Sequence, residues 1–256
     1  MTATISSKHF VILGAGSASA IATARRLATD GHALTLLARR ADVLAESAAD
    51  LKVRGARQVH VIATDLADNV DQKAILLDAQ AACGVIDGVL VFYGVLGDQA
   101  RAEIDLSHAR EIIDVNFTSA ALWVLAAAEH LETHPKPDQV LLTISSVAGD
   151  RGRRSNYVYG AAKGGLSVLV QGLAHKWANK TGAPRAVNMK LGFVDTPMTA
   201  DIEKGGPLWA QPDDIAQAVC RAIQSGGPVQ YAPWFWRWIM LAIRATPAFI
   251  FNKVNL

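Results

Sequence analysis

Three side chains between Ser145 and Lys163 have the types and the spacing that proton transfer needs. The stretch reads SSVAGDRGRRSNYVYGAAK, so Ser146 lies thirteen residues before Tyr159, and Lys163 follows Tyr159 by four. Residues four apart share one face of a helix. An ammonium so placed favours the ionised form of a phenol, whose ordinary pKa is about 10. The pair predicts a tyrosine that acts as an acid or a base near neutral pH.

The position of Ser146 adds weight to this pair, because a Tyr-x-x-x-Lys spacing also occurs by chance on many helices. Ser146 follows an apolar run, Val140–Ile144, that predicts a buried strand. Ligands of open α/β sheets bind outside the carboxyl ends of the strands. The small residues Gly160–Ala162 are expected to let a flat ligand approach the helix.

This arrangement of serine, tyrosine and lysine resembles the short-chain dehydrogenase/reductase family. The resemblance implies an NAD(P)-dependent oxidoreductase that transfers a hydride between nicotinamide and a ketone or secondary alcohol. Ser146 would bind the substrate oxygen, Tyr159 would donate the proton, and Lys163 would lower the Tyr159 pKa and bind the nicotinamide ribose.

The fold class that the resemblance implies is α/β. It is a single-domain, Rossmann-type, doubly wound parallel sheet of about seven strands in the order 3-2-1-4-5-6-7, with helices on both faces. Residues 1–232 would form the dinucleotide-binding and catalytic part, and residues 233–256 an apolar, aromatic tail of the same domain.

A turn of small residues follows the first predicted strand, His9–Leu13, and precedes a helix over Ile21–Thr29. This geometry sets a helix N-terminus against a phosphate, although an ordinary strand–helix turn has the same pattern. The family pattern is G-x-x-x-G-x-G, and alanines stand here at the two later glycine positions. The residues expected to hold the pyrophosphate are Gly14, Gly16, Ser17, Ala18 and Ser19.

Two arginines follow the second predicted strand, Ala33–Ala38, at the place where a carboxylate would select NAD. Arg39 can pair with a ribose 2′-phosphate through both arms of its guanidinium. Arg39 and Arg40 therefore predict a preference for NADP(H), with NAD(H) as the alternative cofactor. A solvated arginine pair that starts the helix Ala41–Val53 is the other interpretation.

The resemblance implies further cofactor contacts after the third and fourth strands, Gln58–Ala63 and Ile86–Phe92. Asp65 would accept a hydrogen bond from the adenine amino group, beside a backbone contact from Leu66, although a helix cap near here is an alternative role for Asp65. Tyr93-Gly94 stands where the family usually has Ala-Gly, and Gly94 would keep the backbone close to the cofactor ribose.

Two more segments match the family. Asn116, in a helical stretch predicted over Glu103–Glu132, corresponds to an asparagine that holds a relay water in the family. A structural hydrogen bond is the alternative role for Asn116.

Past the sixth strand, Ala186–Lys190, the sequence LGFVDTPM matches the family pattern P-G-x-x-x-T-x-M except at the proline. Gly192, Val194 and Thr196 would meet the carboxamide and phosphates there, with a turn-forming hydroxyl as the alternative for Thr196. Residues 198–212 would form a mobile lid.

A narrower resemblance is to reductases of decaprenylphosphoryl keto-pentose. Arg151, Arg153 and Arg154 precede Tyr159 and are candidates for binding the phosphate of a phosphorylated or lipid-linked sugar; a solvated or subunit-contact cluster is the alternative. A soluble reductase of small ketones and a non-catalytic NADP(H)-binding regulator are competing functions. The segments that carry this resemblance are YGVLGDQ, DVNFTS, SSVAGDRGRRSNYVYGAAKGG, GFVDTPMT and PW…RWIMLAIRATPAFIF.

The composition of the chain limits the other binding partners and cellular locations that can be expected. The chain has 256 residues and a net charge of +2, which gives no electrostatic reason to expect nucleic acid. Its two cysteines, Cys83 and Cys220, make neither a disulfide framework nor a metal site, so no metal is expected and the compartment is predicted to be reducing. We expect no signal peptide and no membrane-spanning helix, and hence a cytoplasmic protein.

The C-terminal tail is rich in tryptophan and in basic residues. Trp234, Trp236 and Trp238 lie within five positions, and Arg237, Arg244 and Lys253 follow among apolar residues. This pattern suits an interfacial helix at the inner face of the cell membrane. A helix buried between subunits is the alternative, and the family resemblance implies a homodimer or homotetramer.

Overall fold

The computed structural model describes residues 7–200 and 202–254. Strands and helices alternate along most of this range. The strands are β1 (His9–Leu13), β2 (Ala33–Ala38), β3 (Gln58–Ala63), β4 (Gly88–Val91), β5 (Val140–Ser146), β6 (Arg185–Leu191), β7 (Phe193–Val194), β8 (Trp209–Ala210) and β9 (Val229–Ala232). The helices are α1 (Ala18–Thr29), α2 (Ala41–Val53), α3 (Gln72–Cys83), α4 (Gln99–Ile104), α5 (Leu106–Ile113), α6 (Ala120–Thr133), α7 (Tyr157–Trp177), α8 (Pro212–Ser225), α9 (Trp236–Ala245) and α10 (Ala248–Phe251).

Seven of these strands form one parallel sheet in the order β3-β2-β1-β4-β5-β6-β9. The predicted order is confirmed, with β9 as the seventh strand. β7 and β8 pair separately as a short parallel ribbon, which the sequence did not predict. The rings of Phe193 and Trp209 stack there with their centroids 5.2 Å apart.

The central strands are buried on both faces, as a parallel sheet between helices requires. One face packs against α1, α2 and α8 through Leu27, Leu44 and Ile215. The other packs against α3, α6 and α7, where Trp123 and Leu166 are fully buried. The carboxyl ends of β1, β4, β5 and β6 therefore meet along one edge that both helix layers leave open.

The single helix predicted over Glu103–Glu132 is wrong. The chain forms α4, breaks at Asp105, and resumes as α5, because the Asp105 carboxylate accepts hydrogen bonds from the Ser107 and His108 amides and so starts a new helix. A π-helical turn, Asp114–Ser119, separates α5 from α6. The helix after β3, α3, begins at Gln72 with Asp71 as its cap, so the alternative role of Asp65 as a helix cap is not found.

One stretch, Leu106–Thr133, is long and apolar enough to cross a membrane by length and composition alone. In its most apolar window, 56% is buried inside the protein. The stretch includes α6, which packs against the sheet, so it is accounted for as a core element of the fold.

Candidate active site

The loop after β5 is held against α7 by direct contact between their backbones. Ser146 is the last residue of β5, and a 3-10 turn, Val147–Asp150, follows it. A methyl group on Gly160 would lie 2.8 Å from the Ala148 carbonyl oxygen, and one on Gly149 would lie 2.6 Å from the Gly164 nitrogen. Gly160 is therefore small because α7 packs on this turn, and not for the predicted reason that a ligand approaches there.

Ser146 has a hydroxyl that is set up to donate. Its oxygen accepts a hydrogen bond from the Ala148 amide at 3.1 Å, so the hydroxyl hydrogen stays available for another group. The same hydroxyl interacts with the Tyr159 phenol. The structure thus brings together two of the residues predicted to touch a substrate oxygen.

The expected lowering of the Tyr159 pKa is wrong for this structure. Burial raises the pKa of Tyr159 to about 12, and the Ser146 hydroxyl opposes only part of that rise. Lys163 is buried too, and the loss of solvation lowers the pKa of its ammonium to about 8. Desolvation is the main cause of both shifts, and a pKa of about 12 keeps Tyr159 a neutral phenol at physiological pH.

Asn116 lies in the π-helical turn and is fully buried. Its amide nitrogen donates to the Val95 and Ile112 carbonyls at 2.7 and 2.8 Å, and its Oδ1 accepts from the Val95 amide at 3.1 Å. By taking the Ile112 carbonyl, the side chain competes with the α-helical hydrogen bond at that point, which explains the widened turn.

Gly94 lies between Asn116 and Lys163. A methyl group on Gly94 would lie 2.5 Å from Asn116 Oδ1 and 2.9 Å from Lys163 Nζ. Lys163 Nζ also donates to the Tyr93 carbonyl at 3.4 Å. The loop after β4 therefore passes close over the lysine, and only glycine fits at this point.

The turn between β1 and α1 has the predicted shape. Gly14 has a φ of +82°, which favours glycine, and a methyl group there would lie 2.7 Å from Tyr93 Cβ. Both the backbone conformation and the close contact therefore require glycine. Ser17 caps α1 by accepting from the Ala20 amide at 3.2 Å. Gly16 is exposed and Ala18 half-buried at the first turn of the helix, whereas Ser19 is buried.

The two arginines after β2 differ in their surroundings. Arg39 is 75% exposed, with a nitrogen 3.7 Å from Asp65 Oδ2, which leaves its guanidinium accessible. Arg40 pairs with Asp42 at 2.6 Å in the first turn of α2, an exposed ion pair that the sequence analysis did not predict. Arg39 is consequently the better placed of the two to reach a ligand.

The residues that follow β3 and β4 are connected through hydrogen bonds to Ser119 and Trp123. Asp65 accepts from the Ala67 amide at 3.0 Å, and thus caps a turn and not α3. Leu66 is buried, and its carbonyl accepts from Trp123 Nε1 at 3.0 Å. The Tyr93 hydroxyl lies 2.7 Å from Ser119 Oγ, and burial raises its pKa.

The segment after β6 is bounded by the C-terminal tail. A methyl group on Gly192 would collide with Nε1 of the buried Trp236, so the indole occupies the space that a side chain would need. Val194 is buried and Thr196 half-buried, with the Thr196 amide donating to Thr199 Oγ1 at 3.2 Å. Gly192 thus has a packing role that the family pattern did not indicate.

All three arginines of the loop before α7 contact the tail. Arg151 donates to the Ile243 and Thr246 carbonyls. Arg153 is half-buried with a nitrogen 3.3 Å from Met240 Sδ, and burial lowers its pKa. Arg154 is exposed and donates to the Val254 carbonyl at 2.9 Å. Only Arg154 also borders an open cleft.

That cleft has a volume of about 690 Å³ and lies beside the catalytic loop. Its lining mixes carboxylates, an amide, a hydroxyl and a guanidinium with apolar side chains. The lining residues are Leu96, Gly97, Asp98, Gln99, Ala100, Glu103, Arg154, Ser155, Met198 and Ile202. Met198 and Ile202 come from the segment predicted as a lid.

Two features of the site have no counterpart in the sequence-based predictions. Gln99 Oε1 accepts from the Val158 amide at 3.1 Å and so holds the start of α7. The Asp150 carboxylate is buried and accepts from Lys190 Nζ and, at 2.8 Å, from the Tyr231 hydroxyl. A lysine inside the apolar strand β6 was the available signal for this buried pair.

Several known proteins are similar to this chain. A family model described as short chain dehydrogenase matches residues 8–206. An uncharacterized oxidoreductase of Mycobacterium tuberculosis is 36% identical over 244 residues, which cover 95% of this chain and 96% of that protein. An uncharacterized oxidoreductase of Streptomyces coelicolor is 32% identical over 250 residues, with 96% of each chain covered.

A solved structure supports the fold. A variant of actinorhodin polyketide ketoreductase, crystallised with NADPH, superposes with a TM-score of 0.77. The match covers 92% of this chain and 98% of that one at 19% sequence identity. The predicted α/β fold class is confirmed by this likeness and by the sheet order.

The buried ion pair beneath the site yields a stability prediction. In Lys190→Met, the Asp150 carboxylate stays buried without its cation, so we expect the free energy of unfolding to fall by about 3–5 kcal/mol. Urea denaturation measures it. Lys73→Met, which removes an exposed pair with Glu129, is the control and should change stability little. Equal small losses in both variants would contradict the prediction.

Proposed function

The chain belongs to the short-chain dehydrogenase family, and from that premise we propose that it works as an NADPH-dependent reductase of a phosphorylated keto-sugar. The predicted family and the predicted NAD(P)-dependent oxidoreductase class are confirmed by the family match and the relatives. The preference for NADP(H), the direction of the reaction and the substrate are the proposal. The observation that carries it is the protonated Tyr159 phenol beside Ser146, whose oxygen already accepts from the Ala148 amide, so that both hydroxyls can donate to one substrate oxygen.

The residues at the open edge of the sheet fit the cofactor. The first turn of α1 offers backbone amides beside Gly16, which is exposed and where an added methyl group would meet only Ala38 Cβ, at 3.9 Å. Arg39 extends from the end of β2, where a 2′-phosphate would lie. Asp65 and Leu66 follow β3, at one edge of the sheet, and we propose them for the adenine. Val194 and Thr196 come after β6, and we propose them for the carboxamide and the phosphates.

When bound, NADPH supplies the hydride that reduces the substrate carbonyl. Tyr159, with its pKa near 12, keeps its proton at neutral pH and donates it to the substrate oxygen as negative charge develops there. Ser146 donates a hydrogen bond to the same oxygen. Lys163, whose pKa of about 8 leaves it largely protonated, is placed under Gly94 to bind a ribose. For Asn116 we propose the relay-water role.

The cleft lining supports a sugar-like substrate with a phosphate. Asp98 and Ser155 present groups that can hydrogen-bond to hydroxyls, whereas Arg154 offers a guanidinium at the border of the cleft. Arg151 and Arg153 are half-buried against the tail, whereas Arg154 is exposed and lines the cleft although it also donates to the Val254 carbonyl, so we assign phosphate binding to Arg154. A lipid-linked form, as in the decaprenylphosphoryl keto-pentose reductases, is the substrate we propose within this class.

We place the enzyme in the cytoplasm, at the inner face of the membrane, as a homodimer or homotetramer. Cys83 and Cys220 are both free thiols, in keeping with a reducing compartment. Leu122 and Leu125 on α6 and Val168 on α7 are apolar and between 47% and 71% exposed. Exposed apolar side chains on these two helices support a subunit contact there.

Replacement of the proton donor tests the mechanism. Tyr159→Phe removes the hydroxyl and keeps the ring, so we expect at least a hundredfold loss of kcat with NADPH binding nearly unchanged. Tyr157→Phe, two residues away and 45% exposed, is the matched control and should retain its activity. NADPH oxidation on a ketone panel measures both variants, and a fully active Tyr159→Phe would refute the role.

Arg39 is predicted to select the phosphorylated cofactor. Arg39→Ala should weaken NADPH binding by about tenfold to a hundredfold, the worth of a hydrogen-bonded ion pair, and leave NADH binding unchanged. Arg40→Ala, whose guanidinium is paired with Asp42, should change either affinity much less. Titration by nicotinamide fluorescence measures the four affinities, and an equal loss for NADH and NADPH would exclude 2′-phosphate recognition.

The substrate class is tested at the cleft. Arg154→Ala should raise KM for a phosphorylated keto-sugar by about tenfold or more, and should leave the reduction of a small uncharged ketone unchanged. Arg221→Ala, an exposed arginine on α8, is the control. Two results would favour the soluble ketone reductase instead. One is an equal loss of activity toward both substrates in Arg154→Ala, and the other is a wild type that turns over only small ketones.

A further inference from the structure

The C-terminal helices present an apolar face to solvent. α9 buries Trp236 and Met240 against the body of the protein, where Phe193 packs edge-on against the Trp236 ring. Its opposite side is also apolar, since Trp234, Trp238 and Leu241 follow one another at helical spacing. The tail surface consists of Trp234, Trp238, Leu241, Phe249 and Ile250, each between 45% and 72% exposed.

The charge around the tail surface has one sign. Arg237, Arg244 and Lys253 are exposed beside it. The sequence has no Asp or Glu after Asp214, so the last 42 residues carry only positive side-chain charge. Among residues 7–200 and 202–254, no ion pair involves these three side chains. A surface that is both apolar and basic complements an apolar surface bordered by anions.

We propose that the tail surface docks onto an anionic lipid bilayer. Tryptophan rings occupy the headgroup level of membranes, with arginine and lysine beside the lipid phosphates. α9 has ten residues, and so is about 15 Å long, too short for a hydrocarbon core of about 30 Å, which makes it an in-plane helix. A second copy of the chain is the poorer occupant, because two tail surfaces face to face would oppose like charges without a carboxylate between them.

The docked helix would be joined to the catalytic loop through the loop arginines. Besides its hydrogen bonds to α9, Arg151 lies with its guanidinium 3.8 Å from the centre of the Phe251 ring. Arg154 binds the Val254 carbonyl and also lines the cleft, next to the exposed Met198 and Ile202. Docking would therefore bring the mouth of the cleft to the bilayer surface. This deepens the location proposed above, and it holds for any substrate that the cleft takes.

Flotation of the full-length protein with vesicles tests the docking. We expect binding to phosphatidylglycerol vesicles, much weaker binding to phosphatidylcholine vesicles, and release at high salt. Trp234→Ser with Trp238→Ser, and separately Arg237→Gln with Arg244→Gln, should each weaken binding about tenfold or more. Val53→Ser, at a site 89% exposed on α2, and Arg221→Gln are the matched controls and should bind as the wild type does.

Two further measurements separate the explanations. Reduction of a soluble ketone should be the same in all variants, which shows that the fold and the reductase site survive. Failure of the wild type to float with phosphatidylglycerol, or unchanged flotation of the tryptophan variant, would overturn the docking while leaving the reductase in place. A drop in oligomer mass of the tryptophan variant by light scattering would also overturn it, since the tail surface would then cover a subunit contact.

Discussion

The backbone of α7 rests directly on the backbone of the turn that follows Ser146, and the positions of the catalytic groups depend on this contact. Gly149 and Gly160 leave no room for a side chain between the two segments. The main chain, and no flexible side-chain rotamer, therefore sets the separation between the serine at the end of β5 and the tyrosine on α7. The same constraint explains why small residues are concentrated around Lys163.

Burial then decides the chemistry that this geometry performs. The helical spacing of Tyr159 and Lys163 suggests a phenolate stabilised by an ammonium, but Lys163 is buried, Tyr159 is half-buried, and both groups lose solvation. Desolvation disfavours the charged form of each group, so it raises the tyrosine pKa and lowers the lysine pKa. The site consequently holds a protonated phenol beside the Ser146 hydroxyl, which the proposed reduction would need.

The loop between Ser146 and Tyr159 has a second function as the attachment point of the C-terminus. Arg151 donates hydrogen bonds to the carbonyls at the end of α9. The buried Asp150 carboxylate accepts from Lys190 on β6 and from Tyr231 on β9. The catalytic loop is thus fixed on one side by α7 and on the other by the sheet edge and the tail. A tail that binds a surface would orient this whole assembly relative to that surface.

The sequence by itself determined most strands of the main sheet and some of the helices of this protein. β1, β2, β3 and α2 have the predicted bounds, since apolar runs closed by turn residues are local signals. The candidate site was predictable to the same extent, because residue type and spacing mark Ser146, Tyr159 and Lys163.

Only the tertiary structure decided the protonation states and the partners. The pKa of Tyr159, the division of the loop arginines between tail and cleft, the packing of Trp236 on Gly192 and the burial of Lys190 with Asp150 could not be predicted. The physical reason is that each depends on which groups, distant in sequence, share a volume without water. A pattern along the chain predicts what becomes buried, but not what is buried beside it.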